Sequence, residues 1–236
     1  MYFCHTPAIW LEFPQLIPGL LLIDRIEPSA DVAARLDRFY QRAAVRLAAG
    51  PESDLPEIQA WRRAYAQMGM KPTQYRSAAE ALLRRFRREN TLPRLHPLVD
   101  LCNAVSLSFA LPVAVFDLAG VDQFLEVRHA TGAETYIAFN GEIEHPDPGE
   151  VIFADAANQV HARRWTFRQG RRSTVGASTR RALIVSEGLH STAAEDVAAL
   201  IDTLAAEITA VWEPPLGQAL LSAAMPRWDL PLDTPE

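Results

Sequence analysis

Asp100, Asn103 and Ser106 fall three residues apart inside the otherwise apolar run LVDLCNAVSLSFA. Residues three apart on a helix share a face, so these side chains form one polar stripe on a helix that reads as buried. Buried polar groups must be hydrogen-bonded. The stripe therefore either tethers the helix to a loop or offers an amide and a hydroxyl to a ligand. A second concentration of chemistry is Arg163-Arg164-Trp165-Thr166-Phe167-Arg168-Gln169, extended by Arg171, Arg172, Arg180 and Arg181. Read as a strand over 162–168, alternation sends Arg163, Trp165 and Phe167 one way and Arg164, Thr166 and Arg168 the other. Its guanidinium groups suit a nucleic-acid phosphate or a substrate carboxylate, or else pair with acidic neighbours on a half-exposed strand.

Other chemistries lack their signatures. His5, His96, His129, His145, His161 and His190 show no paired ligand spacing, so neither a metal site nor a cofactor is expected. Cys4 and Cys102 are the only cysteines, too few for a thiolate metal site and too distant in sequence to suggest a redox pair; both are expected to be reduced, and buried or inert. No G-x-S-x-G, phosphate-cradling loop or dinucleotide fingerprint appears. The net charge of -6 argues against a surface that coats nucleic acid throughout and against a DNA partner, while leaving room for a local basic patch. Of 23 basic residues only Lys71 is lysine, so arginine abundance is a bias of the whole chain. The first 25 residues lack a basic n-region, and no apolar run approaches the roughly 18 residues of a spanning helix. A cytoplasmic protein is expected, with no membrane partner.

The elements that must position these residues read from periodicity and punctuation. Residues 19–27 (GLLLIDRIE) predict a buried strand. An amphipathic helix is predicted over 31–49, ended by Gly50-Pro51, and a second over 56–68. Ser77-Ala-Ala-Glu80 is a capping box opening a third helix, whose far end carries Arg84, Arg85, Arg87 and Arg88 as either a solvated terminus or a phosphate-binding ridge. Pro97 suits the first turn of a fourth. Strands follow over 113–118, 124–129, 134–139, 150–154, 162–168 and 181–187. Thr192-x-x-Glu195 is a second capping box, opening a helix to Trp212. The tail beyond Pro214-Pro215 reads as a docked segment, with Trp212 and Trp228 either meeting a partner or closing over the core. With 49% hydrophobic and 22% charged residues and no linker, the expectation is one compact α+β domain over 1–236, a mixed or antiparallel sheet packed with helices.

Several blocks occur in order at compatible spacing: Trp61-Arg62, Gly69 and Pro72; Tyr75-Arg76-Ser77 leading to Glu80-Ala-Leu-Leu-Arg-Arg85; Leu98-Val-Asp-Leu-Cys-Asn-Ala-Val-Ser-Leu107; Leu111-Pro-Val-Ala-Val-Phe-Asp117; Arg128, Ala130, Gly132 and Glu134; Gly149-Glu-Val-Ile-Phe-Ala-Asp155; Arg163 to Gln169; and Thr179 before RALIVSEGL. Over roughly residues 60–190 the chain resembles the editing domain of the phenylalanyl-tRNA synthetase beta chain, the B3/B4 tRNA-binding domain, in its free-standing bacterial form.

The resemblance implies an α+β fold with a pocket between helix and sheet that receives the aminoacylated 3′ end of tRNA and hydrolyses the ester of a wrongly attached amino acid. A second hydrolytic sieve of this kind supplies discrimination that one pocket cannot reach for nearly isosteric substrates. Carried over, Asn103 binds the aminoacyl group or orients a water, with Thr179 on the pocket strand and Gln169 and Thr174 on the neighbouring segment. Ser106 joins this substrate set, as do Ala114 and Ala177, which stand where the family has a histidine and an acidic residue. Arg164, Arg168, Arg171 and Arg172 are the expected tRNA contacts. Two readings follow: a deacylase acting in trans, or a non-catalytic module that binds tRNA or an amino acid. An enzyme acting on a free amino-acid derivative is a weaker third.

Overall fold

The computed structural model describes residues 1–231. The chain runs β1 (Tyr2–His5), α1 (Pro7–Glu12), β2 (Ile17–Ile23), α2 (Ala33–Ala48), α3 (Pro56–Gln67), α4 (Ala78–Glu89), α5 (Pro97–Phe109), β3 (Val113–Asp117), β4 (Phe124–His129), β5 (Thr135–Ile137), β6 (Ile143–Glu144), β7 (Val151–Ala154), β8 (Gln159–Arg163), β9 (Arg168–Gln169), β10 (Ala182–Gly188), α6 (Ala193–Thr209), β11 (Gly217–Leu220) and β12 (Arg227–Asp229). Among the described residues no helix is long and apolar enough to cross a membrane.

Two sheets organise the α+β fold. The smaller is antiparallel, in the order β11-β2-β10-β3. The larger is mixed, in the order β12-β1-β4-β7-β8-β5-β6, with β9 on β8 and parallel pairs at β1–β4 and β5–β8. The unbroken apolar run in β2 follows from burial on both faces. Leu20 and Leu22 face the larger sheet, meeting Phe3, Val127 and Phe153, whereas Leu21 and Ile23 face α5 and α6. β10 and β3 obey the same parity: Leu183, Val185 and Phe116 go to the first core, Ile184 and Val115 to the second. At Gly19 a β-carbon would lie 2.6 Å from Val197 and 2.7 Å from Ile201, so glycine is what lets α6 close on β2.

The five longer helices lie where periodicity puts them. The Ser77 hydroxyl caps α4 by accepting from the Glu80 amide at 3.3 Å. The reciprocal half of that box is absent, because the Glu80 carboxylate is taken by Arg62 at 2.6 and 3.1 Å. The second predicted box does not form either: the Thr192 hydroxyl donates to Asp196 at 2.6 Å, one residue beyond Glu195. The arginines ending α4 face carboxylates, with Arg84 and Arg87 3.2 and 2.9 Å from Glu52 and Arg85 2.8 Å from Glu89. In the tail, β11 pairs with β2 and β12 with β1, and Trp212 and Trp228 pack half-buried against the two cores.

The predicted strand over 162–168 is a correction. β8 ends at Arg163, and Arg164 and Trp165 adopt φ of 47° and 57°, a left-handed pair that turns the chain before β9. Alternation therefore does not sort these side chains. Glu150 holds the turn: its carboxylate accepts from Arg163 at 2.7 and 2.9 Å and from the Arg164 amide at 3.0 Å, while Trp165 drops into the core.

Candidate functional site

α5 sets the site. Pro97 occupies its first turn, and the preceding His96 caps it, Nδ1 accepting from the Leu98 amide at 3.2 Å. The polar stripe along the helix then divides. Asp100 accepts from the Leu95 amide at 2.9 Å, and fully buried Ser106 donates to the Leu111 carbonyl at 2.5 Å. Both are tethers. Asn103 lies between them, has no side-chain hydrogen bond among the described residues, and lines a cavity of about 520 Å³.

That cavity lies between the start of α5, one face of β3 and the segment after β9. It brings together Asn103, Gln169, Thr174 and Ala177, with His96 on the helix side and Val113 and Val115 on the strand side. Its rim carries Leu95 and Phe139, 69% and 59% exposed, a large apolar surface for a polar rim position. Gln169 Nε2 donates to Val115 O at 2.7 Å and to Ser173 O at 3.4 Å, and the Thr174 hydroxyl donates to Gly170 O at 3.0 Å.

Three of the substrate-binding residues expected from sequence lie outside this lining. Ser106 is the tether already described. Thr179 is buried, its hydroxyl donating to Asp117 and accepting from the Gly176 amide, so it holds the wall in place from behind. Ala114 points to the opposite face of β3, into a smaller cavity of about 70 Å³ shared with Trp165, Gln169 and Glu187. There Glu187 is buried, accepting from Trp165 Nε1 at 2.9 and 3.0 Å, with His5 Nε2 at 2.6 Å.

The arginines also divide. Arg164 lies over the Tyr75 ring, 3.8 Å from Glu150, and Arg168 is 3.1 Å from Glu144. Arg171 and Arg172 are exposed and make no ion pair among the described residues. They sit on the loop joining Gln169 to Thr174.

Sequence reading missed two histidines. His96 lines the cavity, and because Nδ1 accepts an amide hydrogen, the ring proton resides on Nε2. Nε2 is buried and unpartnered. Burial lowers the pKa of the ring, partly opposed by Asp100, which favours a neutral hydrogen-bond donor. The available signal was a histidine directly before a first-turn proline. His161 bridges Ser173 at 2.9 Å and Asp155 at 3.2 Å. All three are buried and none lines a described cavity, so this serine–histidine–aspartate set braces the sheet instead of meeting a ligand. Burial would raise the Asp155 pKa, but hydrogen bonds from His161 and from backbone amides outweigh it and leave the carboxylate below its ordinary value.

The B3/4 domain model matches residues 60–207, and the chain belongs to that family. This range contains residues 60–190, which carry the ordered sequence blocks. In structure the chain is similar to an N-terminal fragment of the phenylalanyl-tRNA synthetase beta subunit from Pyrococcus horikoshii, with a TM-score of 0.44 and 9% identity. The alignment covers 87% of this chain and 48% of that one, so the chain spans about half the length of the fragment. No curated protein matches.

Proposed function

We propose that this chain is a free-standing editing-type protein that receives the aminoacylated 3′ end of tRNA and hydrolyses the ester of a wrongly attached amino acid in trans, in the cytoplasm. The observation that carries the reading is the cavity of about 520 Å³ in which Asn103, His96, Gln169 and Thr174 meet. Its size falls among those of small-ligand pockets, and its valine and alanine walls suit an aminoacyl side chain. Exposed Phe139 offers a stacking surface to the terminal base, and Arg171 and Arg172 offer charge to the phosphates.

Ester hydrolysis needs a positioned water and donors for the developing oxyanion. The Asn103 amide supplies the first, and the His96 Nε2–H, fixed by its cap, supplies the second. The lining contains no carboxylate or thiol to serve as base or nucleophile, so the vicinal hydroxyl of the tRNA ribose takes the proton leaving the water and passes its own to the departing ester oxygen. That same lack, with Ala177 in the wall where the family has an acid, favours the second reading, a module that binds tRNA or an amino acid without turnover.

Deacylation of a panel of correctly and wrongly charged tRNAs by the purified protein separates the two. Release of one mischarged amino acid, diminished in Asn103→Ala and in His96→Asn, supports editing. The asparagine variant keeps a capping oxygen for α5 while removing the Nε2 donor. Saturable tRNA binding with no release supports the binding module.

A further inference from the structure

We propose that Glu57, His190 and Asp196 form a binding site for one divalent transition cation of the zinc or manganese class. Glu57 stands in the first turn of α3, His190 follows β10, and Asp196 stands in the first turn of α6. One donor atom from each lies within 4.8 Å of the other two, and Glu57 is far in sequence from the other pair.

The hydrogen bonding around the cluster leaves it short of positive charge. His190 Nε2 is 2.9 Å from Asp196 Oδ2. Asp196 Oδ2 also accepts from the Thr192 hydroxyl at 2.6 Å. In the tautomer with the ring proton on Nδ1, Nε2 and Asp196 Oδ2 both present lone pairs and can ligate one ion. Glu57 Oε1 accepts from Arg46 at 2.6 Å, while Glu57 Oε2 is buried and has no partner. The Glu57 side chain is 91% buried, so solvent does not readily repair that oxygen. An orphaned carboxylate oxygen is costly, and a cation shared with His190 and Asp196 satisfies it.

Arg46 does not fill that role. Its other nitrogen is drawn toward the Ser108 carbonyl at 3.3 Å, and it reaches only one oxygen of Glu57. Its single charge also leaves the two carboxylates uncompensated. One imidazole nitrogen with carboxylate oxygens suits zinc or manganese, whereas calcium and magnesium favour all-oxygen sets and copper(I) favours sulfur. The cation would tie α3 to the β10–α6 junction at the end of α5 that carries Ser108, away from the cavity side chains at its start.

The test is calorimetric titration of the chelator-treated full chain with Zn²⁺ and with Mn²⁺. The expected result is one equivalent bound, with affinity at least about tenfold weaker in Glu57→Gln and in His190→Gln, and unchanged in Asp229→Asn. A measurement needing no substitution runs beside it: in the labelled wild-type protein, substoichiometric Mn²⁺ should broaden the amide resonances of Glu57, His190 and Asp196 first. No saturable binding of either ion, undiminished binding in folded variants, or broadening that starts elsewhere would overturn the proposal and leave a bridging water as the occupant.

Discussion

The Thr179 hydroxyl donates to Asp117 Oδ2 at 2.6 Å, tying the loop after β9 to the end of β3. The same hydroxyl accepts from the Gly176 amide at 2.9 Å. Gly176 and Ala177 form part of the cavity wall, so Thr179 shapes a surface it does not touch. Thr179→Val keeps the shape and leaves Asp117 and the Gly176 amide without this partner. Urea denaturation should show a loss of about 1–3 kcal/mol. Rescue by Thr179→Ser is expected, since the hydroxyl and not the methyl makes both bonds.

Glu187 depends on Trp165 in the same way. Trp165→Phe fills most of the volume but removes the indole N–H that bonds both carboxylate oxygens. A hydrogen bond to a charged group is worth about 1.5–3 kcal/mol, and the stability of this variant should fall by that order. Thermal and chemical denaturation check it; a loss below experimental error would mean that His5 alone satisfies the acid.

Glu134 gives the fold a defined acid response. Burial would raise its carboxyl, but amide donors from Thr131, with the Arg128 guanidinium, outweigh this and bring the pKa to about 2. The unfolded value is about 4.3. A depressed folded pKa stabilises above the unfolded value, and the contribution is lost as pH falls from there through the folded pKa. Wild type should therefore exceed Glu134→Gln in stability at neutral pH, with the gap narrowing below about pH 4. Denaturation midpoints of the two proteins across this range test the sign.

The cysteines should be slow toward thiol reagents in the native protein. Burial, reinforced by the Glu126 carboxylate, pushes the Cys4 thiol up to about 12, and burial alone raises Cys102. Little thiolate is present at neutral pH, and thiolate is the reactive form. An aromatic disulfide reagent should label half-buried Cys4 before buried Cys102, and both promptly in denaturant. Rapid native labelling of Cys102 would show that the α5 core opens readily.

The longer helices were legible because α2 through α6 carry an apolar stripe with prolines or polar residues at their starts. Asn103 was legible for the same reason, since helical spacing alone sets it on a face with Asp100 and Ser106. What spacing does not encode is which loop reaches which member of that face: Leu95 and Leu111 take the outer two and leave the middle one open. Strand parity likewise separates Ala114 from Val113 and Val115 without saying which side holds the larger cavity. β1 and α1 are too short to generate periodicity. The turn at Arg164 and Trp165 has no glycine or asparagine to announce it; distant Glu150 and the burial of the indole impose it. His190 and Asp196 lie six residues apart across the β10–α6 junction, and only tertiary packing brings Glu57 to them.

Gln169 faces both cavities, and its amide takes the place of a neighbouring strand at the outer edge of β3. The partition between the two spaces is thus partly one rotatable side chain. With that side chain swung aside, the roomy outer chamber would gain a passage toward the inner one and the anionic floor formed by Glu187. The reach of an incoming ligand, and whether it meets the Glu187 carboxylate, therefore depends in part on the torsion angles of Gln169.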